Sequence, residues 1–299
     1  MVKRLLDCNT TDFKTMNKKE IINSIKASEG RVIVSEIIGA VSPLLHDISN
    51  AELAAAFGAD LLLLNMLDLY IPVFYGLQKN NPDKIIKEIK ELTGRIIGVN
   101  LEAVEEDSNL TLGRRAAVAT ARKAREMGAD FIVLTGNPGT SVSNREIVKA
   151  ISSIKKELGE ELIIAAGKMH AAGVLNESGE QIITEQDVIE FIEAGSDLIL
   201  LPAPGSVPGI TMEYIRGLVK LAHSREVLTM TTIGTSQEGA DQQTIREIAL
   251  LCKMTGTDLH HLGDAGYPGI AIPENIMSYS IAIRGRRHTY SRMARSINR

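Results

Sequence analysis

Short apolar runs rich in valine, isoleucine and leucine recur along the chain, separated by stretches with helical periodicity. Eight runs read as strands: Val32–Ile38, Leu61–Asn65, Ile96–Asn100, Phe131–Thr135, Leu162–Ala166, Leu198–Leu201, Val227–Thr232 and Leu259–Leu262. Most are nearly continuous in apolar residues, as parallel strands covered on both faces have to be. Between them the pattern predicts helices over Ala51–Phe57, Lys84–Leu92, Thr111 or Leu112 to Met127, Asn144–Leu158, Glu185–Glu193, Met212–His223 and Gln242–Met254. Ser49-Asn50, Pro82-Asp83, Thr184, Thr211 and Asp241 stand where the first free amides of these helices need an acceptor, or where proline removes the need. An amphipathic helix over Lys14–Ala27 precedes the first strand. A long helix over Pro273–Ile297, with a break at Gly285, follows the last.

The even-numbered strands share an entry signal. Gly58-Ala59-Asp60, Gly128-Ala129-Asp130, Gly195-Ser196-Asp197 and Gly256-Thr257-Asp258 each end a helix and open a strand, 61 to 70 residues apart. The glycine supplies the left-handed residue that stops the helix, and the small residue lets the chain turn closely under the strand. The odd strands begin near Arg31, Arg95, Glu161 and Glu226 at a similar interval, so the chain reads as four β-α-β-α units. Eight regular βα alternations predict an α/β fold, a single (β/α)8 TIM barrel. The expected organisation is one domain over 1–299: an N-terminal helical extension at 1–30, the barrel at 31–272 and a C-terminal helix at 273–299.

Composition and charge narrow the partners. With 33 Lys+Arg against 37 Asp+Glu the net charge is −4, there is no tryptophan, and phenylalanine occurs only 5 times. Such a surface repels nucleic-acid phosphates and offers no stacking platform, so no nucleic-acid partner is expected. No 18-residue apolar run predicts a membrane span, and the start, with Lys3 and Arg4 but no apolar segment behind them, does not read as a secretory signal. Cys8 and Cys252 lie far apart without CxxC spacing and read as reduced thiols of a cytoplasmic protein, Cys252 as a buried helix residue. Arg284, Arg286, Arg287, Arg292, Arg295 and Arg299 concentrate positive charge at the end of the chain, for which the acidic body of the fold itself is the default partner.

Barrel active sites lie at the C-terminal ends of the strands, and the residues there define the candidates. After the fifth strand, Lys168 and His170 stand two apart in AAGKMHAAG; a partly desolvated lysine suits Schiff-base or electrostatic catalysis, and the imidazole suits proton transfer. Glu36 and Glu102, at the ends of strands one and three, are the candidate partner acid or base. Glycine-containing loops follow strands seven and eight, where barrels often cradle a phosphate. The expected substrate or phosphate ligands are Asn100, Asn137, Thr232, Gly234, Thr235, Ser236, His261, Gly263, Asp264 and Gly266, although Glu238 and Asp264 would repel a phosphate if they pointed inward. Glu36, Glu102, His170, His261 and Asp264 together make a divalent metal conceivable, yet no HxH, HExxH or DxD spacing supports it, so no cofactor is expected. One of His260 and His261 has to face the helix layer and is expected to be packed in the core. The insertion Met66–Asn81, with Tyr70, Phe74 and Tyr75, is a candidate lid or subunit contact, the second implying a homo-oligomer.

The runs AAGKMHAAG (165–173), LGDAGYPGIAIPENI (262–276) and IAIRGRRHTY (281–290) resemble an uncharacterised bacterial family of TIM-barrel proteins. Its members are sometimes labelled phosphoenolpyruvate phosphonomutase-like or haloacid-dehalogenase-like, and Val227–Gly269 is similar to the last two βα units of phosphate-binding barrels. The resemblance implies the fold and carries over no catalytic residue: no DxDx[TV] motif stands at a strand end, and the mutase-type loops are missing. The expected function is a lyase, aldolase or isomerase acting on a small phosphorylated metabolite. The alternatives are a non-catalytic barrel that binds such a metabolite and acts through a protein partner, and a metal-dependent hydrolase or lyase.

Overall fold

A computed structural model describes residues 2–78, 81–105, 107–136, 142–169 and 178–299. Eight parallel strands close into a barrel in chain order: β1 (Val32–Ile38), β2 (Leu61–Asn65), β3 (Ile96–Glu102), β4 (Phe131–Thr135), β5 (Ile163–Gly167), β6 (Leu198–Pro202), β7 (Leu228–Ile233) and β8 (Leu259–Leu262). Alternation along each strand splits the core into two shells. Val34, Leu63, Phe131, Val133, Leu200 and Met230 fill the inside, whereas Ile33, Leu62, Ile97, Ile132 and Ile199 face the helices. Phe131 lies across the barrel axis against Gly98, where a Cβ would come within 2.2 Å of its ring.

The helices between the strands are α3 (Asn50–Ala56), α4 (Ile85–Thr93), α5 (Val118–Met127), α6 (Asn144–Leu158), α7 (Glu185–Ala194), α8 (Met212–Ser224) and α9 (Gln242–Thr255). Ser49, Ser143, Thr184, Thr211 and Asp241 each accept a backbone N–H of the first turn. Two expected helices are divided. The single helix over Lys14–Ala27 is α1 (Thr10–Thr15) followed by α2 (Lys18–Lys26), because Asn17 and Glu20 form a capping box that starts a second helix. The helix expected from Leu112 starts at Val118, since Arg115 and Ala116 stay extended beside β3 and the Ala116 N–H donates to Glu102 O at 2.8 Å. Ile21 and Ile25 of α2 join Leu5 in the inner shell and plug the N-terminal end of the barrel.

The Gly-x-Asp entries act as stitches. Each aspartate N–H donates to the carbonyl of a residue in the preceding odd strand, and its carboxylate accepts that same residue's N–H. The carboxylate bonds are Ile33 N to Asp60 and Ile164 N to Asp197 and Thr229 N to Asp258, all at 2.8 Å, and Ile97 N to Asp130 at 2.9 Å. Lys90 pairs with Asp130 at 2.7 Å, Lys18 with Asp197 at 2.5 Å and His223 with Asp258 at 2.8 Å.

Asp60 differs in being fully buried between two arginines of the C-terminal helix α10 (Pro273–Met293), which is broken at Gly285 as expected and ends before Ile297. Arg284 Nη1 lies 2.5 Å from one carboxylate oxygen and Arg292 Nε 2.6 Å from the other. Burial alone would raise the pKa of Asp60; the two guanidiniums outweigh it and hold the group below the usual carboxylate range. Buried Arg95 joins them through the carbonyls of Ala59 and Arg292, and burial pushes its pKa down to about 9. Arg295 donates to the carbonyls of Asp7 and Cys8, so the basic end of the chain folds onto its own body. Cys8 and Cys252 are buried free thiols, and no helix among the described residues is long and apolar enough to cross a membrane.

Removing one partner of a buried ion pair leaves an uncompensated charge, a loss of about 3–5 kcal/mol. Asp60→Asn is therefore expected to lower the denaturant midpoint far more than Asp130→Asn, whose half-exposed lysine partner makes the change worth about 1 kcal/mol. Equal shifts of the two midpoints would show that the α10 arginines do not depend on Asp60.

Candidate active site at the barrel mouth

The inner face of the barrel turns polar at its C-terminal end. Continuing the inward positions upward gives Glu36 on β1, Asn65 on β2, Asn100 and Glu102 on β3, Thr135 on β4, Thr232 on β7 and His261 on β8. Glu36 and His261 stand on neighbouring strands, since Val34 pairs with His261 and Ser35 with Leu262. Glu36 is 3% exposed and His261 0%, and Glu36 Oε2 lies 3.5 Å from His261 Nε2. Neither imidazole nitrogen has a hydrogen-bond partner, and neither does Glu36 Oε1. Burial raises the pKa of Glu36, and nearby Asp264 raises it further; His261 only partly offsets this.

A directional relay runs beside this pair. The Met66 N–H donates to Asn65 Oδ1 at 2.9 Å, so Asn65 turns its Nδ2 to Asp264 Oδ2, also at 2.9 Å. Asn100 Nδ2 donates to the same Asn65 Oδ1 at 2.9 Å, which leaves Asn100 Oδ1 as a buried acceptor without a partner. Asn65 stands at the end of β2 and, one residue beyond the Leu64–Val99 pair, lies level with Asn100.

In the loops after β7 and β8, several of the expected phosphate ligands hold partners within the protein. Glu238 is 3% exposed and accepts the Ala265 N–H at 3.1 Å, in the place where an anion would sit. The Gly266 N–H goes to Asp264 Oδ1 at 2.8 Å and the Gly263 N–H to Ile233 O at 2.9 Å. Thr232 spends its hydroxyl on Leu201 O and Thr235 on Ser206 O, while Ser236 is exposed in a left-handed conformation. Gly263 is required where it stands: a Cβ would lie 2.7 Å from Ile233 O and 3.2 Å from the Glu238 carboxylate. Burial also raises the pKa of Glu238, whose Oε2 has no partner.

Two further candidates take other positions. Lys168, one residue past the end of β5, is buried at 4% exposure, and the side chain of the next residue, Met169, lies against Gly234. Glu102 is held by Arg114, Oε1 to Nη2 at 2.6 Å. His170 and Asn137 lie outside the described residues. Among the described residues no three His, Cys, Asp or Glu side chains gather as a metal-holding group. In the insertion after β2, Phe74 is buried against Gly39 while Tyr70 and Tyr75 are about half exposed, so one of the three aromatics anchors the loop.

A family model described as a domain of unknown function, DUF7916, matches residues 6–299. The chain belongs to the DUF7916 family. That description assigns no activity, and the mutase-like and dehalogenase-like labels find no support in it. No curated protein matches the sequence. The DUF7916 barrel is similar to the carboxyl transferase domain of Rhizobium etli pyruvate carboxylase, at 13% identity and a TM-score of 0.55, over 95% of this chain and 51% of that one. It thus spans about half the length of those carboxylase chains. It is also similar to a Schiff-base-forming fructose-1,6-bisphosphate aldolase, at 13% identity and a TM-score of 0.56, over 89% of this chain and 98% of that one. Identities this low establish the TIM-barrel fold that the DUF7916 chain shares with these enzymes, and not their reactions.

His260 is the packed histidine. Its Nε2 faces Gly30 O and its Nδ1 the Tyr279 hydroxyl, both at 3.0 Å, which satisfies the neutral ring, and burial lowers its pKa to about 4. An unfolded histidine titrates near 6.5. Between these values the unfolded chain binds the extra proton, so His260 contributes stability above pH ~6.5 that is lost as the pH falls toward ~4, about 3 kcal/mol in all. Unfolding midpoints measured across that window should fall more steeply for the wild type than for His260→Gln; parallel curves would refute the assignment.

Proposed function

We propose that this barrel is an enzyme of the lyase or isomerase type that moves a proton on a small metabolite, with Glu36 and His261 as its acid–base pair. The observation that carries the reading is the pair itself: a fully enclosed carboxylate beside an imidazole, both facing the barrel interior with polar atoms left unbonded. Leaving such atoms unsatisfied costs about 1–3 kcal/mol each, and a fold retains that cost where a ligand or a transferred proton meets them. The raised pKa of Glu36 brings its two protonation states closer in energy near neutral pH, which suits a group that takes a proton and returns it. His261 stands within 3.5 Å to carry the proton or to steady the charge that develops. A phosphate would find the Ala265 and Gly266 amides after β8 engaged by the protein's own carboxylates.

The test is hydrogen exchange in D2O. Aldoses, ketoses, and keto and hydroxy acids, each with and without phosphate, are incubated with the protein and followed by proton NMR at the carbon next to the carbonyl. Catalysed exchange is expected for one class, with a rate that rises through a pKa above the ordinary glutamate range. Glu36→Gln should lower it by about 100-fold or more. Compounds that bind without exchanging would favour the non-catalytic barrel. Retention of the rate in Glu36→Gln, or a borohydride-stable adduct on Lys168 in the intact mass, would overturn the acid–base assignment.

A further inference from the structure

We propose that the mouth binds a ligand rich in hydrogen-bond donors, a polyhydroxylated carbonyl compound or its amino analogue, whose hydroxyl and amine donors are received by Asn100 Oδ1 and Glu36 Oε1. This rests on the acid–base reading of the same site and names the substrate class for it.

The direction of the asparagine relay decides the first contact. A backbone N–H can only donate, so Met66 fixes Asn65 Oδ1 as an acceptor, and Asn65 in turn fixes which end of the Asn100 amide is left over. The atom left over is an oxygen at any pH. Glu36 Oε1, on the strand that pairs with β2, is a second enclosed acceptor, and Glu238 Oε2 beyond β7 is a third. Each lacks a hydrogen-bond partner within the protein.

Two amides of the β8 loop and Arg114 on the same face are engaged. Ala265 and Gly266 give their N–H groups to Glu238 and Asp264, and Arg114 is paired with Glu102. A phosphate dianion entering here would meet oxygens of Glu36, Glu238 and Asp264 and would have to displace a carboxylate to reach an amide. A hydroxyl or an ammonium group meets acceptors that are already aimed and need no rearrangement, the condition under which binding costs least.

Binding is read on the full chain by calorimetry and thermal shift, without turnover. The probes are D-glucosamine, sorbitol and Tris, set against D-glucosamine 6-phosphate, sorbitol 6-phosphate and inorganic phosphate. The donor-rich compounds are expected to raise the unfolding midpoint with concentration, their phosphate esters to bind more weakly than the parents, and inorganic phosphate not to compete. Asn100→Ala should weaken binding about tenfold, the worth of one enclosed hydrogen bond. The comparison between parent compound and ester is made on the unaltered protein, so it stands even if that variant folds poorly. Tighter binding of an ester than of its parent, displacement by inorganic phosphate, or no binding of any donor-rich probe overturns the proposal. Loss of the exchange reaction with this binding pattern intact overturns the acid–base reading alone; a phosphate preference with Glu36-dependent exchange intact overturns the ligand class alone.

Discussion

The barrel depends on one repeated contact, an aspartate at the entry of each even strand that closes two hydrogen bonds on a single residue of the odd strand before it. Asp60, Asp130, Asp197 and Asp258 each receive a backbone N–H at 2.8–2.9 Å and return their own N–H to the same residue's carbonyl. A parallel pair starts with backbone groups that have no partner below the first rung, and at the buried end of a barrel water cannot supply one. The aspartate fills that gap and fixes the register of the two strands together. Hydrogen bonds to a charged acceptor contribute about 1.5–3 kcal/mol each, so four such stitches are a sizeable share of a stability of 5–15 kcal/mol.

A base held in this way tolerates a strained top. The inner shell is apolar from the Leu5–Ile25 plug up to the level of Val34 and Met230. Above that level enclosed polar atoms go unpaired at Glu36, His261, Asn100 and Glu238. The division follows the general design of the fold, in which the lower layers supply stability and the strand ends supply chemistry. Here the boundary is sharp. His260 and His261 are adjacent, yet the outward ring is satisfied by two partners and the inward ring by none.

The period of the chain, the eight strands and most helix caps were legible because each is local: a glycine, a cap residue and an alternation of apolar positions within a few residues. The two divided helices show the limit of that legibility. Asn17-x-x-Glu20 is itself a capping box and marks a new start, whereas the delay to Val118 needs β3, which no local pattern contains. Glu36 and His261 could be placed at strand ends and in one cluster from the sequence, but their 3.5 Å contact needs the register of β1 on β8, across 225 residues of chain. The loops after β7 and β8 were legible only in part for a related reason. Their glycines have the composition of an anion cradle, and only the folded chain reveals that Glu238 reaches the Ala265 amide and serves as the anion. The arginines of the last segment were legible as charge and not as structure, because Asp60, their partner, stands more than 220 residues away.

That last pairing bears on the site. A closed barrel has one seam where the first strand meets the last, and here β1 pairs with β8 through the four residues of the shortest strand. Glu36 and His261 stand on opposite sides of that seam, so their 3.5 Å separation is set by how firmly it is held. One contact crosses it and two brace β1 beside it. His260 of β8 bonds to Gly30 just ahead of β1, Arg284 bonds to Arg31 O as well as to Asp60, and the Asp60 carboxylate bonds to the N–H of Ile33. The C-terminal helix therefore does more than cover the outside of the barrel. Through Asp60 it braces β1, one side of the seam across which the reactive pair faces, and Asp60 is the buried, doubly paired aspartate, while the other three are partly exposed and carry lysine or histidine partners at their rims.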